Sequence, residues 1–175
     1  MGKGFALVFS PGRHDPGNTR FGTHSTPKLV GGITPACLAA GVSLYERVID
    51  KVVPVSSARV AEMAKLLENT VRHVNIALVN EMAVFCRELG VDLWDAIDAA
   101  ATKPFGFMRF TPGPGVGGHC IPVYPSHLRW RVQKLVFTFR SVAPAQENTP
   151  RIPAHRVPPL AARADAPAPP LSPPR

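Results

Sequence analysis

Cys120 is the side chain of this sequence best suited to act as a nucleophile, because a thiolate is the right group to attack an aldehyde carbon. It follows Gly117 and Gly118, which carry no side chains and would let a substrate or cofactor approach the backbone closely. The alternative for an isolated cysteine is a small buried residue in a tight turn, and the glycines make the two interpretations about equally strong. His119 is a neighbouring candidate base, but adjacent side chains usually point apart.

Lys65 and Asn69 form a second candidate group, four residues apart in a segment with helical spacing. That spacing places them one turn apart on one helix face, where an ammonium and an amide could stabilise a developing oxyanion. A solvated helix face is the alternative, and from spacing alone it is the more common case. Farther along the chain, Lys103, Phe105 and Phe107 could grip a phosphate or a ring, or form a lid packed on the core.

The α/β region that precedes these residues alternates between strand and helix. Phe5–Phe9 is a short apolar run that ends in a turn, which suits a buried strand, and Lys28–Gly32 is a second strand candidate. Thr34 can cap a helix that runs to about Ile49, and Val52–Val55 is a third strand whose proline suggests an edge or a strand end. Strand, helix and strand in this order predict a piece of a parallel sheet.

A long helix should carry Lys65 and Asn69, with Ser57 as its N-cap and an end near Gly90. Its apolar residues recur at steps of three and four, which predicts one buried stripe. This stripe comprises Val60, Met63, Ala64, Leu67, Val71, Val74, Leu78, Met82, Phe85 and Leu89. A second, polar stripe comprises Glu62, Lys65, Asn69, Arg72 and Asn80. Because the helix is long for a small domain, we expect it to form a spine shared by two subunits of a homodimer.

A shorter helix, Leu93–Ala101, follows with Asp92 as its cap and stops before Pro104. The glycine- and proline-rich run around Cys120 cannot be regular structure. Half of the 20 prolines lie from Pro144 onward, which predicts a tail without fixed structure.

Charge and cysteine content narrow the possible function classes. Five of the eight net positive charges fall in residues 131–175, with few interleaved aromatic side chains, so a nucleic-acid partner is weakly supported. Three widely spaced cysteines indicate neither a disulfide framework nor a zinc site, and we expect no metal. No apolar run is long enough to span a bilayer, and the short N-terminal one does not suit a signal peptide, so we expect a cytoplasmic protein without a membrane partner.

Four separate motifs, in order and with matching spacing, resemble the UDP-glucose/GDP-mannose dehydrogenase family. The resemblance runs from about Phe5 to Leu128 and is strongest to the branch that acts on UDP-N-acetylhexosamines. The motifs are Ala61-Glu-Met-Ala-Lys-Leu-Leu-Glu-Asn69, Asn75-Ile-Ala-Leu-Val-Asn-Glu81, Thr102-Lys-Pro-Phe-Gly-Phe107 and Pro112-Gly-Pro-Gly-Val-Gly-Gly-His-Cys-Ile-Pro122.

The resemblance implies an NAD-dependent nucleotide-sugar 6-dehydrogenase that makes polysaccharide precursors. Such an enzyme oxidises the C6 alcohol of a UDP-sugar to an aldehyde and then to an acid in two hydride transfers. By this resemblance Cys120 attacks the aldehyde and forms a thioester that water cleaves, while Lys65 and Asn69 stabilise oxyanions and orient water. It also places substrate-binding residues along the UDP-sugar. These residues are Lys103, Phe110, Gly113 and Gly117.

Several positions depart from the family pattern. The α/β region up to Val55 lacks the Gly-x-Gly-x-x-Gly fingerprint of a dinucleotide site. Gly12 stands where the family has a glutamate, and Tyr124 stands where it has the aspartate that would hold the lysine and water. Arg109 and Thr111 replace a proline and a tyrosine. We therefore expect an incomplete enzyme, and leave the cofactor-binding residues unassigned.

The expected organisation has three parts. Residues 1–55 are the end of a Rossmann-type NAD-binding domain, residues 56–130 are a helical dimerisation domain with the catalytic-cysteine loop, and residues 131–175 are the basic, proline-rich tail. The expected fold class is an α/β fragment followed by an α-helical domain. A non-catalytic dimerisation remnant of the same family is the alternative function, and a basic nucleic-acid-binding protein is a more distant one.

Overall fold

The computed structural model describes residues 4–15 and 18–113, which contain three strands and three helices in the order β1-β2-α1-β3-α2-α3. The strands are β1 (Val8–Phe9), β2 (Lys28–Gly32) and β3 (Val52–Val55), and the helices are α1 (Pro35–Tyr45), α2 (Ala58–Glu88) and α3 (Leu93–Ala101). The chain divides into two compact units, residues 1–68 and 69–175, which are described separately. The predicted loop around Cys120 and the predicted proline-rich tail lie outside the described residues.

The first unit contains a three-stranded sheet in the order β1-β2-β3. Strands β2 and β3 are parallel, with Lys28 opposite Val52, and α1 forms the crossover between them. This part confirms the predicted strand, helix and strand, including the bounds of both strands. Of the two alternatives for β3, an edge or a strand end, the sheet of described strands has β3 at its edge.

Strand β1 differs from the sequence-based prediction. It is only two residues long and runs antiparallel to β2, with Val8 opposite Gly32, so the sheet is mixed. The backbone N–H of Ile33 donates to the carbonyl of Leu7 at 3.2 Å, but the chain then turns into α1. The residues before Leu7 therefore have no extension of β2 to pair with, and the predicted buried strand from Phe5 was wrong.

Thr34 caps α1 as predicted, because its hydroxyl accepts a hydrogen bond from the backbone N–H of Cys37 at 3.2 Å. The helix ends at Tyr45, four residues earlier than expected. Beyond it, the N–H groups of Arg47 and Val48 bond to carbonyls three residues earlier, which tightens the last turn.

Helix α2 spans 31 residues, with the Ser57 hydroxyl accepting from Val60 N–H at its start and Gly90 at a φ of 68° just beyond its end. The predicted burial of its apolar stripe is wrong for the single chain. Eight of the ten stripe residues are exposed: Val60, Met63, Leu67, Val71, Leu78, Met82, Phe85 and Leu89. The buried face instead carries polar residues, with Asn69, His73 and Asn80 all at most 6% exposed.

The position of helix α3 explains part of why the apolar stripe of α2 is exposed. Asp92 caps it by accepting from Trp94 N–H at 2.8 Å, which confirms the predicted helix and cap. Its buried residues, Leu93 and Ile97, pack with Cys86 and with Ala83 on α2. Helix α3 thus packs against Ala83 and Cys86, two residues of α2 that do not belong to the apolar stripe. No helix in the described ranges is both long and apolar enough to cross a membrane.

Candidate functional site

Asn69 is the predicted site residue whose surroundings are best defined. It lies on α2, is 6% exposed, and its Nδ2 has no hydrogen-bond partner among the described residues. Lys65 lies four residues earlier on the same helix and is half-buried. A buried amide N–H that is not used within the protein is a donor that a substrate oxygen or a water could satisfy.

Two further buried polar side chains, His73 and Asn80, follow Asn69 on α2. They lie four and eleven residues after it, so the helical period places all three on one face. Both ring nitrogens of His73 and Nδ2 of Asn80 also lack partners within the described residues. Burial lowers the pKa of His73 from its ordinary value, because desolvation disfavours the charged imidazolium.

Asn80 contacts the beginning of the glycine-rich segment. Its Oδ1 accepts a hydrogen bond from the backbone N–H of Gly113 at 2.9 Å, across 33 residues of sequence. Gly113 and Phe110, both predicted substrate-binding residues, are half-buried. The sequence places Asn80 in the polar stripe, and its local pattern indicates no particular role. Its spacing from Asn69 was the available signal, since eleven residues are close to three helical turns.

Lys103 occupies a different environment from Gly113. Its Nζ lies 4.9 Å from the centroid of the Phe105 ring, a cation–π contact, and Phe105 is 70% exposed. Phe107 is also exposed, so the alternative of a lid packed on the core does not hold for these rings in the single chain. Nearby, Arg109 forms an ion pair with Asp98 of α3 at 2.6 Å.

Five residues singled out in the sequence, including the predicted nucleophile, lie outside the described residues: Gly117, Gly118, His119, Cys120 and Tyr124. Gly12, which replaces a family carboxylate, is exposed. The adjacent Arg13 pairs with Glu68 of α2, with Nη2 2.7 Å from Oε1. Among the described residues, no group of three or more His, Cys, Asp or Glu side chains could hold a metal ion.

Gly31 and Gly32 are the last two residues of β2, just before the connection to α1, and a dinucleotide pyrophosphate binds at such a strand-to-helix turn. A Cβ on Gly31 would lie 2.3 Å from the Ser57 carbonyl oxygen, and a Cβ on Gly32 would lie 2.5 Å from the Leu38 nitrogen. These glycines therefore allow the backbone of β2 to pack closely against Ser57 and Leu38, and residues 1–55 contain no Gly-x-Gly-x-x-Gly turn to cradle a pyrophosphate. The described residues of the first unit do not fit the pyrophosphate of NAD.

The sequence of residues 59–149 matches the UDP-glucose/GDP-mannose dehydrogenase family, central domain. The UDP-N-acetyl-D-mannosamine dehydrogenase of Salmonella typhi is 40% identical over 119 residues, which are 68% of this chain and 28% of that protein. The NDP-N-acetyl-D-galactosaminuronic acid dehydrogenase of Ralstonia solanacearum is 42% identical over 119 residues, with the same coverage. The matched part of the chain thus spans just over a quarter of the length of these relatives.

Solved structures agree with these relatives. The UDP-N-acetyl-mannosamine dehydrogenase of Staphylococcus aureus superposes with a TM-score of 0.75 and 33% identity, over 95% of this chain and 38% of that one. The UDP-D-ManNAc dehydrogenase of Pyrococcus horikoshii gives a TM-score of 0.76 and 31% identity, over 89% of this chain and 36% of that one. Dehydrogenases of this type use NAD. Since the family match covers more than half of the sequence, the chain belongs to the UDP-glucose/GDP-mannose dehydrogenase family.

Proposed function

We propose that this protein serves nucleotide-sugar 6-dehydrogenation, the oxidation of the C6 alcohol of a UDP-sugar to a uronic acid for polysaccharide precursors. The observation that carries the proposal is the family match over residues 59–149, which includes Lys65, Asn69 and Cys120. Relatives named for UDP-N-acetyl-D-mannosamine and NDP-N-acetyl-D-galactosaminuronic acid favour an N-acetylated sugar as substrate.

In this proposal Cys120 supplies the nucleophile. Its thiolate adds to the carbonyl carbon of the C6 aldehyde and forms a carbon–sulfur bond, while the carbonyl electron pair moves to oxygen. Lys65 and Asn69 stabilise that oxyanion with an ammonium and an amide donor. The buried Asn69 Nδ2, unpartnered among the described residues, supports this role. After oxidation to a thioester, attack by water on the thioester carbon releases the acid and regenerates the thiol.

NAD is the hydride acceptor of the family's reaction. Because residues 1–55 lack the Gly-x-Gly-x-x-Gly turn that binds a dinucleotide pyrophosphate, we assign no hydride-transfer step to residues of this part of the chain. Lys103, Phe110, Gly113 and Gly117 are proposed to lie along the UDP-sugar. The half-buried state of Phe110 and Gly113 is compatible with that position, and the exposed Lys103 ammonium can attract a phosphate.

A homodimer formed through α2 is part of the proposal. Eight large apolar side chains on one stripe of this helix are exposed in the single chain, and a second copy would remove them from water. The same observation favours the second candidate function, a non-catalytic dimerisation module of this family. Gly12 and Tyr124, which replace carboxylates of the family pattern, favour it too.

Alkylation of the thiols in the presence of substrate aldehyde distinguishes the two functions. The chain is treated with iodoacetamide, with and without a UDP-N-acetylhexosamine that carries an aldehyde at C6, and each cysteine is quantified by mass spectrometry. We expect the aldehyde to slow labelling of Cys120 at least severalfold. Cys37 and Cys86, which are both buried, serve as internal references. Equal labelling of Cys120 with and without the aldehyde would favour the dimerisation module.

Two controls make this test specific. Propionaldehyde at the same concentration should protect Cys120 less, because it lacks the nucleotide and sugar that orient the carbonyl. Lys65→Met should weaken protection by the UDP-sugar aldehyde, whereas Lys51→Met, at an exposed position before β3, should not.

A further inference from the structure

The hydrogen bond between Asn80 and Gly113 joins α2 to the first residue of the Gly-Pro-Gly run. Asn80 is 1% exposed, and its Oδ1 lies 2.9 Å from the Gly113 nitrogen. In the described structure the two residues belong to the same compact unit.

Burying an amide on a helix face is costly unless it makes hydrogen bonds that water would otherwise provide. An apolar residue at position 80 would avoid this cost, as Ala77 does one turn earlier on the buried face. Asn80 differs from Asn75 on the same helix, whose Nδ2 donates to the Val71 carbonyl at 2.8 Å, a hydrogen bond within α2. The amide of Asn80 instead fixes a backbone N–H from a distant segment.

Gly113 needs such an external acceptor. It precedes Pro114, whose ring nitrogen carries no N–H, and the Gly113 N–H has no backbone acceptor among the described residues. A rigid helix is a precise support for a segment that must hold functional groups, and a side-chain acceptor on that helix sets where the segment begins.

We infer that Asn80 is a positioning residue, whose amide oxygen holds Gly113 and thereby sets the start of the segment that carries Cys120. This inference rests on the proposed function only for the role of Cys120. The hydrogen bond itself can be tested without NAD or a UDP-sugar. The hydrogen bond requires an acceptor oxygen at position 80, on a side chain long enough to reach the Gly113 N–H.

Hydrogen exchange of the Gly113 amide, measured by NMR on the full chain, tests the contact. Asn80→Leu keeps a similar shape but removes the acceptor, and we expect Gly113 to exchange about three- to tenfold faster, the range for one lost hydrogen bond. Asn80→Asp keeps an oxygen at the same reach and should restore slow exchange. Asn75→Leu, the matched control on α2, should leave Gly113 unchanged.

The labelling rate of Cys120 with iodoacetamide, without any substrate, tests the positioning role. It should change in Asn80→Leu and return toward the unmodified rate in Asn80→Asp. Unchanged exchange at Gly113, or unchanged labelling of Cys120, in Asn80→Leu would overturn the inference. Faster exchange of the Ile97 amide in Asn80→Leu would mean that the substitution also loosens the packing of α3. In that case Asn80→Ser is used instead, because the serine hydroxyl is too short to reach Gly113.

This experiment separates the inference from the proposed function. Failure of a UDP-sugar aldehyde to protect Cys120 would count against the proposed function and leave the Asn80 measurements unaffected. Loss of the Asn80 effects would remove the positioning residue while leaving aldehyde protection intact.

Discussion

Arg13 is joined to Glu68, with Nη2 2.7 Å from Oε1, so the segment after β1 is tied to α2 between Lys65 and Asn69 in sequence. The same guanidinium donates through Nη1 to the Pro27 carbonyl at 2.8 Å, just before β2. Arg13 therefore links two segments of the first unit that are distant in sequence. Its planar fork of donors suits this double contact better than a lysine would.

Removing the Arg13 side chain should destabilise the protein. The ion pair is partly exposed, so it contributes about 0.2–1 kcal/mol, and the hydrogen bond to Pro27 adds about 1 kcal/mol. We expect Arg13→Ala to lower the free energy of unfolding in urea by about 1–2 kcal/mol. A double-mutant cycle with Glu68→Ala should show a coupling of about 0.5 kcal/mol. Strictly additive effects of the two substitutions would show that the pair contributes nothing.

The apolar stripe of α2 should hold two copies of the chain together. We expect light scattering at micromolar concentration to give a mass near twice 18.8 kDa. Leu78→Glu places a charge in the middle of the exposed stripe, where dimerisation would bury it without a partner, and should shift the protein to monomer. Ala96→Glu, at an exposed position on α3, adds the same charge elsewhere and should leave the mass unchanged. A folded wild-type monomer under these conditions would contradict the homodimer.

His73 should make stability depend on pH. Burial lowers its pKa in the folded chain below the ordinary value of 6.5, so below that pH the unfolded chain binds a proton that the folded chain does not. The free energy of unfolding should therefore fall as the pH drops below about 6.5, the ordinary pKa of histidine, and His73 should not affect it well above pH 7. His73→Gln should flatten this part of the profile measured in urea.

The control for this prediction is His14, which is exposed. His14→Gln should keep the wild-type slope between about pH 7.5 and 5.5, a window above most of the carboxylate titration. A wild-type profile that is flat there, or one that keeps its slope in His73→Gln, would rule out the neutral buried imidazole as the cause.

Local signals predicted the elements of this fold well. Thr34, Ser57 and Asp92 cap their helices because their side-chain oxygens reach backbone N–H groups of the first turn, which is a property of a few neighbouring residues. Strands β2 and β3 had the expected bounds because a short apolar run and its turn residues are equally local.

Contacts between distant segments were not predictable in this way. The length of β1 depends on where β2 turns into α1, and no residue of Phe5–Phe9 carries that information. Helical spacing identified two faces of α2 but not which one is covered in the single chain. The role of Asn80 depends on Gly113, 33 residues later, so its spacing from Asn69 marked a shared face without revealing the hydrogen bond.

The purified chain should produce no detectable NADH from UDP-N-acetyl-D-mannosamine or UDP-glucose. Residues 1–55 contain no Gly-x-Gly-x-x-Gly turn that could hold the pyrophosphate of NAD. Much of the rate enhancement in a reaction of two ligands comes from holding them close together in the correct orientation, so weak cofactor binding alone would suppress turnover. Tyr124, which replaces an aspartate of the family pattern, removes a further charge that would tune the thiol and the lysine.

An NADH absorbance assay, with the Salmonella typhi relative as positive control, tests this expectation. Thiol labelling run beside it should modify Cys120 faster than Cys86, which is buried between α2 and α3. That combination would mean a reactive site without hydride transfer. Turnover that disappears in Cys120→Ala would contradict the prediction. It would also require a dinucleotide site in this chain other than the glycines that precede α1.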